Sequence, residues 1–442
     1  MVKKIFLCCF SFLVLQGFSQ DSLTLEQAIK KTLEQNFSIQ MVQNQHEIAR
    51  IHNTWKNTGG IPLLRFTGTA AQNFITFADD PADDAVETGN TTNADYTQQN
   101  LSAQIALHWT IFDGFSARIQ KEKLDYLEQL AEGNVYVLIE TSLYATMLAY
   151  YNVIVQQQKL EVFSHILDLS RDRYQYQQSL QNVGVATTFE VLQARNAWLQ
   201  DTAQFVQQQS LYNAAVRDLK YYMADTGDET YIFPDRFEPQ NVSFNKNELK
   251  QRVSQHNIEV QNTYVQMAIL EQEQKLVRSK YLPNLSFQTG AAYTYNSNDY
   301  GIVDPVQTQQ QRVFANLSLQ YDIYTGGARA RASQISEIQI HTKKLELKDM
   351  LMRIYHELER EYEMYNSRKA LYVLALQQER AAKLNYDLAH ERFISGTISS
   401  LDFRTIQLQY LQSSVLLVEA RYQNILSELN IFRLTGSIIK DF

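Results

Sequence analysis

Two segments of the chain, 101–112 and 313–324, alternate between apolar and more polar positions. The apolar series of the first segment is Leu101, Ala103, Ile105, Leu107, Trp109 and Ile111. The apolar series of the second is Val313, Ala315, Leu317, Leu319, Tyr321 and Ile323. Alternation over about ten residues is typical of a membrane β-strand with one face toward lipid and one toward a wet lumen. A half-buried hairpin of a soluble protein alternates in the same way, so the pattern alone leaves both interpretations open.

The segments before each of these strands, 63–77 and 285–295, alternate less regularly and are predicted to be their partner strands. The loops between partners are polar. The first loop, 78–100, carries the acidic residues Asp79, Asp80, Asp83, Asp84, Glu87 and Asp95. A calcium site there is an alternative, but the cluster lacks the ligand spacing and the turn glycine of an EF-hand. We therefore expect a solvated external loop.

A very different pattern follows each pair of strands. The segment 116–180 contains no proline and a single glycine, Gly133, and its apolar residues recur at steps of three, four and seven. This stripe is formed by Leu124, Leu127, Ala131, Val135, Leu138, Ala145, Leu148, Tyr151 and Val155. The segment 328–393 shows a matching stripe. Each segment predicts a helix roughly 100 Å long, packed on other helices along its length, with its polar face in water.

The chain is a duplication. Residues 36–64 align with 257–285, and residues 111–114 align with 323–326. Each half therefore has the order helix, strand, loop, strand, long helix, tight turn, helix. The first repeat is predicted to span 20–224, with a tip at 183–190 and a last helix at 188–223. A connector follows at 225–247, and the second repeat spans 248–436, with a tip at 395–402, a last helix at 400–433 and a tail at 437–442.

The N-terminal stretch 1–19 reads as a signal peptide. It begins with Lys3 and Lys4, continues with a short apolar core and ends in small residues. A membrane anchor is the alternative, but the apolar run is shorter than the ~20 residues that span a bilayer. Both cysteines, Cys8 and Cys9, lie in this stretch, so the mature chain would have neither a disulfide nor a thiolate metal site. We expect no transmembrane helix after residue 20.

Composition and motifs argue against several classes of function. The formal charge is −8 and no basic tract is present, which argues against nucleic acid as a partner. His356 and Glu357 begin like a zinc-protease motif, but the second histidine is missing. No phosphate-binding glycine loop or Gly-x-Ser-x-Gly motif occurs. We therefore expect no enzyme, no catalytic residues, no cofactor and no metal.

Four amphipathic strands cannot close a barrel, and an open sheet edge in lipid is very costly. Either the strands lie outside a membrane, or several chains pool them. Three chains would supply twelve strands, enough for a barrel with an aqueous lumen, together with a tube of helices.

The sequence resembles the TolC-like outer-membrane efflux proteins over essentially the whole mature chain. The resemblance rests on ordered and duplicated motifs: 23–29 (LTLEQAI), Ile61-Pro62 with 282–285 (LPNL), Gly114 and Gly326, 183–195 (VGVATTFEVLQAR), Arg392-Phe393 with Gly396 and Asp402, and 434–436 (LTG). It implies a mainly α fold with a transmembrane β part. A duplicated unit would give four membrane strands and long coiled-coil helices per chain. The homotrimer would form a 12-stranded β-barrel plus an α-helical barrel, a channel-tunnel.

The resemblance also implies a location, partners and site residues. The barrel would sit in the outer membrane of a Gram-negative bacterium, in contact with its lipid, and the helices would extend into the periplasm. The helical tips would dock a periplasmic adaptor protein and an inner-membrane pump. The residues that match the docking tips are Val183, Gly184, Val185, Gly396 and Thr397; those that match the periplasmic gate are Asp402 and Glu190.

This sequence departs from the family pattern at the gate. A second acidic position falls at Thr405 and a basic position at Ile398. Two plainer interpretations remain beside the implied roles: the tips could be only helical hairpin turns, and Asp402 could only cap its own helix. The leading function is a passive exit duct of a tripartite efflux or type I secretion system. The alternative is a non-conducting periplasmic coiled-coil tether, which would have no use for alternating strands.

Overall fold

The computed structural model describes residues 21–76, 95–227, 230–235, 239, 242–301 and 304–438. The expected signal peptide, the acidic residues 79–87 of the first loop, parts of the connector and the last residues of the tail lie outside the described residues.

Two sets of matching elements build the chain. The first set is β1 (Asp21–Ser22), α1 (Leu25–Gln35), α2 (Phe37–His52), a 3-10 turn (Trp55–Thr58), β2 (Leu63–Ile75), β3 (Tyr96–Phe112), α3 (Ser116–Asn182) and α4 (Thr188–Tyr222). The second is β4 (Tyr231–Ile232), α5 (Lys246–His256), α6 (Ile258–Ser279), β5 (Asn284–Asp299), β6 (Val306–Gln320), α7 (Ala328–Ile394) and α8 (Ser400–Leu434). Both long helices contain 67 residues and both helices that follow them contain 35. The internal duplication is therefore visible element by element.

The helices group into two compact units, and each unit draws on both repeats. One unit comprises Met1–Val42, Val135–Ile258 and Leu351–Phe442, and the other comprises Gln43–Asn134 and Glu259–Met350. The long helices α3 and α7 run from one unit into the other. The repeat in the sequence is therefore not the unit of packing.

The first unit has an apolar core centred on the middle of α3. Tyr150 is fully buried and packs with Leu219 and Met223 near the end of α4. Its hydroxyl lies 2.8 Å from the Leu23 carbonyl oxygen and 2.6 Å from Asp235 Oδ2, and these two acceptors share its one proton. Burial raises the pKa of this phenol, so it remains a hydrogen-bond donor. These contacts hold the N-terminal segment and the connector against α3.

The second unit contains a four-stranded antiparallel sheet in the order β2-β3-β5-β6. The pairing is continuous: Leu63 lies opposite His108 and Ile75 opposite Tyr96, while Asn284 lies opposite Gln320 and Asn298 opposite Val306. The two hairpins meet between β3 and β5, where the register shifts once near the end of β3. The sheet is therefore built from one hairpin of each repeat.

Close helix packing explains the glycine inside α3. A β-carbon on Gly133 would lie 1.9 Å from Asn262 Oδ1 on α6, in the same unit. The Asn262 amide donates to the Asn134 side-chain oxygen at 3.2 Å. A larger residue at position 133 would therefore require the Asn262 side chain to move.

None of the helices that the structure describes is both long and apolar enough to cross a membrane.

Candidate functional site

The sheet of the second unit has one apolar face. Every second residue along a strand points to the same face of the sheet. The strand register then shows which residues of the four strands lie side by side on that face. One cross-strand row of this face consists of Phe66, Ile105, Ala291 and Val313; the next consists of Leu64, Leu107, Thr289 and Ala315. Phe66 and Val313 are 69% and 85% exposed. The apolar face is therefore uncovered in a single chain.

The opposite face of the sheet is polar. A representative row consists of Thr69, Ser102, Thr294 and Gln310, and the adjacent row contains Thr67, Gln104 and Arg312. Neither face of the sheet packs against a core in the part of the chain that the structure describes. A sheet with one apolar and one polar face is typical of a boundary between lipid and water.

The edges of this sheet are open. Among the described residues, β2 pairs only with β3 and β6 pairs only with β5, and both outer strands are exposed along nearly their whole length. Two rows of backbone groups are therefore available for pairing with further strands.

The two tips have the same backbone geometry. Each long helix ends in a Schellman motif whose left-handed residue is Gly184 (φ 80°) or Gly396 (φ 73°). The amide of Val185 donates to the Leu180 carbonyl at 2.9 Å, and the amide of Thr397 donates to the Arg392 carbonyl at 2.8 Å. The structure thus places Gly184 and Val185 in one turn and Gly396 and Thr397 in the other.

The first tip presents apolar side chains to solvent. Val183 is 73% exposed and Val185 71% exposed. A β-carbon on Gly184 or Gly396 would meet no described atom within 4 Å, so the space beside each of these two glycines is open. Exposed valines on a tight, well-defined turn are suited to contact a partner.

The two acidic residues predicted for the gate both lie in the first turn of a helix. Glu190 completes a capping box at α4: its carboxylate accepts from the Thr187 amide at 2.8 Å and from the Thr187 hydroxyl at 2.9 Å. These hydrogen bonds lower the pKa of Glu190. At α8 the Asp402 amide donates to Ser399 Oγ at 3.1 Å, and the Ser399 hydroxyl donates to Asp402 Oδ2 at 2.7 Å.

Asp402 is exposed and its side chain is one methylene shorter than that of Glu190. Its carboxylate bonds the Ser399 hydroxyl, and the capping box that is complete at α4 is only half formed at α8. A capping role and an exposed charge are therefore compatible in this residue.

The two departures from the family pattern have clear local roles. Ile398 packs against a buried aromatic cluster formed by Tyr386, Phe393 and Phe403. The Thr405 hydroxyl donates to the Leu401 carbonyl at 3.1 Å, inside its own helix. At these positions an apolar anchor and a helix-bonded hydroxyl replace the charged groups that the family pattern would place there.

A buried ion pair close to the tips carried no signal in the sequence. Arg404 donates from Nη1 to Asp201 Oδ2 at 2.8 Å and from Nη2 to Asp201 Oδ1 at 2.6 Å. The side chains are only 10% and 2% exposed. The pair joins the start of α8 to α4, with partners 203 residues apart in the chain, so no local pattern could reveal it.

Among the residues that the structure describes, no group of three or more His, Cys, Asp or Glu side chains is placed to hold a metal ion.

The chain is similar to known proteins in its second half and in its fold. Residues 249–437 match the family described as outer membrane efflux protein, which confirms the resemblance to that family. No curated protein sequence shows significant similarity to the chain.

Solved structures share the fold over nearly the whole chain, and three of them serve as examples. The Campylobacter jejuni outer membrane channel CmeC is 14% identical, with a TM-score of 0.72 over 93% of this chain and 85% of that one. The Vibrio cholerae outer membrane protein VceC is 13% identical, with a TM-score of 0.67 over 93% and 96%. The Neisseria gonorrhoeae outer membrane channel MtrE, described in its open state, is 12% identical, with a TM-score of 0.70 over 94% and 89%.

Proposed function

We propose, from the match of residues 249–437 to the outer membrane efflux protein family, that the protein is the passive exit duct of a tripartite efflux or type I secretion system. Its β-sheet would lie in the outer membrane and its helices would extend into the periplasm. The observation that carries the proposal is the amphipathic, uncovered sheet with two open edges.

The open edges call for further copies of the chain. A sheet in lipid must pair all of its backbone groups, and only a closed barrel does so. Four strands from each of three chains would give twelve strands, a number that leaves room for water in the lumen. The apolar rows through Ile105 and Val313 would then face lipid, and the polar rows through Ser102 and Gln104 would face the lumen.

The tips would provide the periplasmic contacts. The exposed Val183 and Val185, the turn glycines and Thr397 would dock a periplasmic adaptor, which links the duct to an inner-membrane pump. Three copies of Asp402 and of Glu190 around one threefold axis would form the acidic lining of the gate. A fixed ring of carboxylates attracts cations into an aqueous opening.

A non-conducting coiled-coil tether is the competing function. It requires long helices and tips, and the structure contains both. It does not require a four-stranded sheet with an apolar face of exposed side chains. The sheet therefore favours the duct.

A pair of charged substitutions on opposite faces of β6 tests the proposal. In Val313→Arg the charge lies on the apolar face, where an arginine near the bilayer midplane costs about 2–4 kcal/mol. In Asn316→Arg, three residues further on, the charge lies on the polar face. We expect the wild type and Asn316→Arg to run as trimers in detergent and to form discrete channels in planar bilayers, while Val313→Arg loses both insertion and conductance.

Two results would contradict the duct. One is a stable monomer of the wild type that inserts in membranes, measured by its mass in detergent. The other is equal behaviour of Val313→Arg and Asn316→Arg, because a lipid-facing sheet must distinguish the two positions.

A further inference from the structure

A cavity lies beside the aromatic cluster of Tyr386, Phe393 and Phe403, below the second tip. Its volume is about 170 Å³, and residues of α3, α7 and α8 line it. Phe403 stacks on Phe393 with ring centroids 4.7 Å apart and on Tyr386 with centroids 5.7 Å apart. These rings give the cavity flat apolar walls.

The same cavity is lined by polar side chains whose hydrogen-bonding capacity is not used by the described residues. Gln407 is 1% exposed, and neither its Oε1 nor its Nε2 has a protein partner. Arg173 is 5% exposed and its Nε lacks a partner, as does His390 Nδ1. Buried polar atoms without partners are uncommon in folded proteins. Three residues with such atoms around one cavity therefore point to a polar group that the cavity accommodates.

The buried charged residues beside the cavity indicate whether that polar group is a cation or an anion. Two buried guanidinium groups, those of Arg173 and Arg404, lie near a single buried carboxylate, that of Asp201. Arg404 already uses both oxygens of Asp201. Burial and the repulsion by Arg404 lower the pKa of Arg173 to about 10, although Asp201 partly offsets them. Arg173 therefore remains a cation at neutral pH without a dedicated counter-charge.

Water could supply hydrogen bonds to Gln407 and His390, but water does not neutralise a buried charge. Asp172 also lines the cavity, but it is exposed, and solvent screens the charge of an exposed carboxylate. Arg173 itself makes one long hydrogen bond, from Nη1 to the Ser400 carbonyl at 3.4 Å. An anion at the inner wall satisfies both the charge and the free donors.

We propose that this cavity is a binding site for a small organic carboxylate with a flat apolar body. The carboxylate would accept from Arg173 and from the Gln407 amide, since guanidinium groups bind carboxylates in a planar, two-bonded geometry. The body would lie between the aromatic walls. A cavity of about 150 Å³ holds a benzene molecule, so a single-ring acid fits this volume.

Calorimetry on the full chain in detergent tests the site, with benzoate as the probe and benzamide as its neutral counterpart of the same shape. We expect saturable binding of one benzoate per chain. Benzamide should bind about tenfold to a hundredfold more weakly, because it loses a hydrogen bond between charged groups. Inorganic phosphate, which has no apolar body, should not displace benzoate at equal concentration.

Two variants of α3 locate the site. Arg173→Gln should weaken benzoate binding by the same factor of about ten to a hundred. Arg171→Gln, at an exposed position two residues away, should leave the affinity unchanged. If Arg173→Gln does not fold, Gln407→Leu, which has a side chain of similar size, replaces it in the same binding measurement and should also weaken benzoate binding.

The proposal is overturned by the absence of saturable benzoate binding to the wild type, which would mean that the cavity holds water only. It is also overturned by equal affinity for benzoate and benzamide, or by equal losses in Arg171→Gln and Arg173→Gln. None of these results depends on channel activity, so they leave the proposed duct untouched.

Discussion

At the scale of single residues, the helix ends show how far local chemistry sets this structure. The glycines at the two tips have open space around them, whereas a β-carbon on Gly436 would lie 2.4 Å from the His256 carbonyl oxygen. The equivalent position in the first repeat is Ala224, which keeps the left-handed backbone at φ 54°. Gly436 is therefore required for space, while Gly184 and Gly396 are required only for backbone conformation.

This difference gives a prediction for Gly396. A β-branched residue held at positive φ is strained by about 1–3 kcal/mol, so Gly396→Val should distort the second tip. Asparagine tolerates the left-handed region, so Gly396→Asn is the matched control. We expect Gly396→Val to lower adaptor cross-linking and efflux while trimer insertion stays normal, and Gly396→Asn to behave close to the wild type. If efflux in Gly396→Val equals that of the wild type, this turn is not the docking surface.

The capping residues were predictable from the sequence because their partners are three positions away. Thr187 and Ser399 are the N-caps of α4 and α8, and both accept from the third residue of their helix. The contrast between Glu190 and Asp402 was not predicted, since it depends on one methylene. The docking and gate roles of these tips stay predictions, because both roles concern partners and neighbouring copies of the chain.

At the scale of elements, periodicity located the helices better than the strands. The long helix expected over 116–180 runs over Ser116–Asn182, because an uninterrupted apolar stripe marks its whole length. The strand expected over 313–324 instead spans Val306–Gln320. Residues 306–312 are mostly polar and show no alternation, but their backbone pairs with β5, as in Gln311 opposite Tyr293. Strand pairing depends on backbone groups, so side-chain patterns missed this end of β6.

The Asp201–Arg404 pair offers a test of how α4 and α8 are held together. Removing one partner of a buried ion pair leaves an uncompensated charge and typically costs about 3–5 kcal/mol. We expect Arg404→Met to lower the free energy of unfolding by about that amount. The double variant Asp201→Leu/Arg404→Met should recover part of the loss, because it removes both charges of the pair, while the buried Arg173 loses the carboxylate that partly offsets its charge.

Thermal unfolding followed by circular dichroism measures both variants. Arg380→Met, at an exposed position on α7, is the control and should change stability by less than about 0.5 kcal/mol. A stability of Arg404→Met equal to that of the control would show that the pair does not contribute to the junction.

At the scale of the whole molecule, the duplication was the most informative property of the sequence. The shift that relates Gly184 to Gly396 also relates α3 to α7 and α4 to α8 residue for residue. The repeat did not predict the compact units, because each unit combines segments of both halves. It also did not predict the cavity at Gln407, since the α3 residues that line it lie far along the chain from those of α7 and α8.

The gate is the property that most depends on the assembled molecule. Threefold symmetry would bring three copies of Asp402 around one axis, and their carboxylates would attract cations. In the single chain Asp402 also bonds Ser399, so a charge effect must be separated from a capping effect. Asp402→Asn removes the charge but can still accept from the Ser399 hydroxyl. Ser399→Ala removes the cap but keeps the charge.

The two variants should therefore differ in planar-bilayer recordings. We expect Asp402→Asn to lower cation selectivity and to weaken block by multivalent cations added on the periplasmic side. Ser399→Ala should keep both properties and lose about 0.5–2 kcal/mol of stability, the usual effect of a lost helix cap. Because Thr405 is not acidic, this block should be weaker than in a relative with two acidic rings. Equal selectivity of Asp402→Asn and the wild type, with both inserted normally, would show that Asp402 is a residue of the first turn of α8 without a role in the gate.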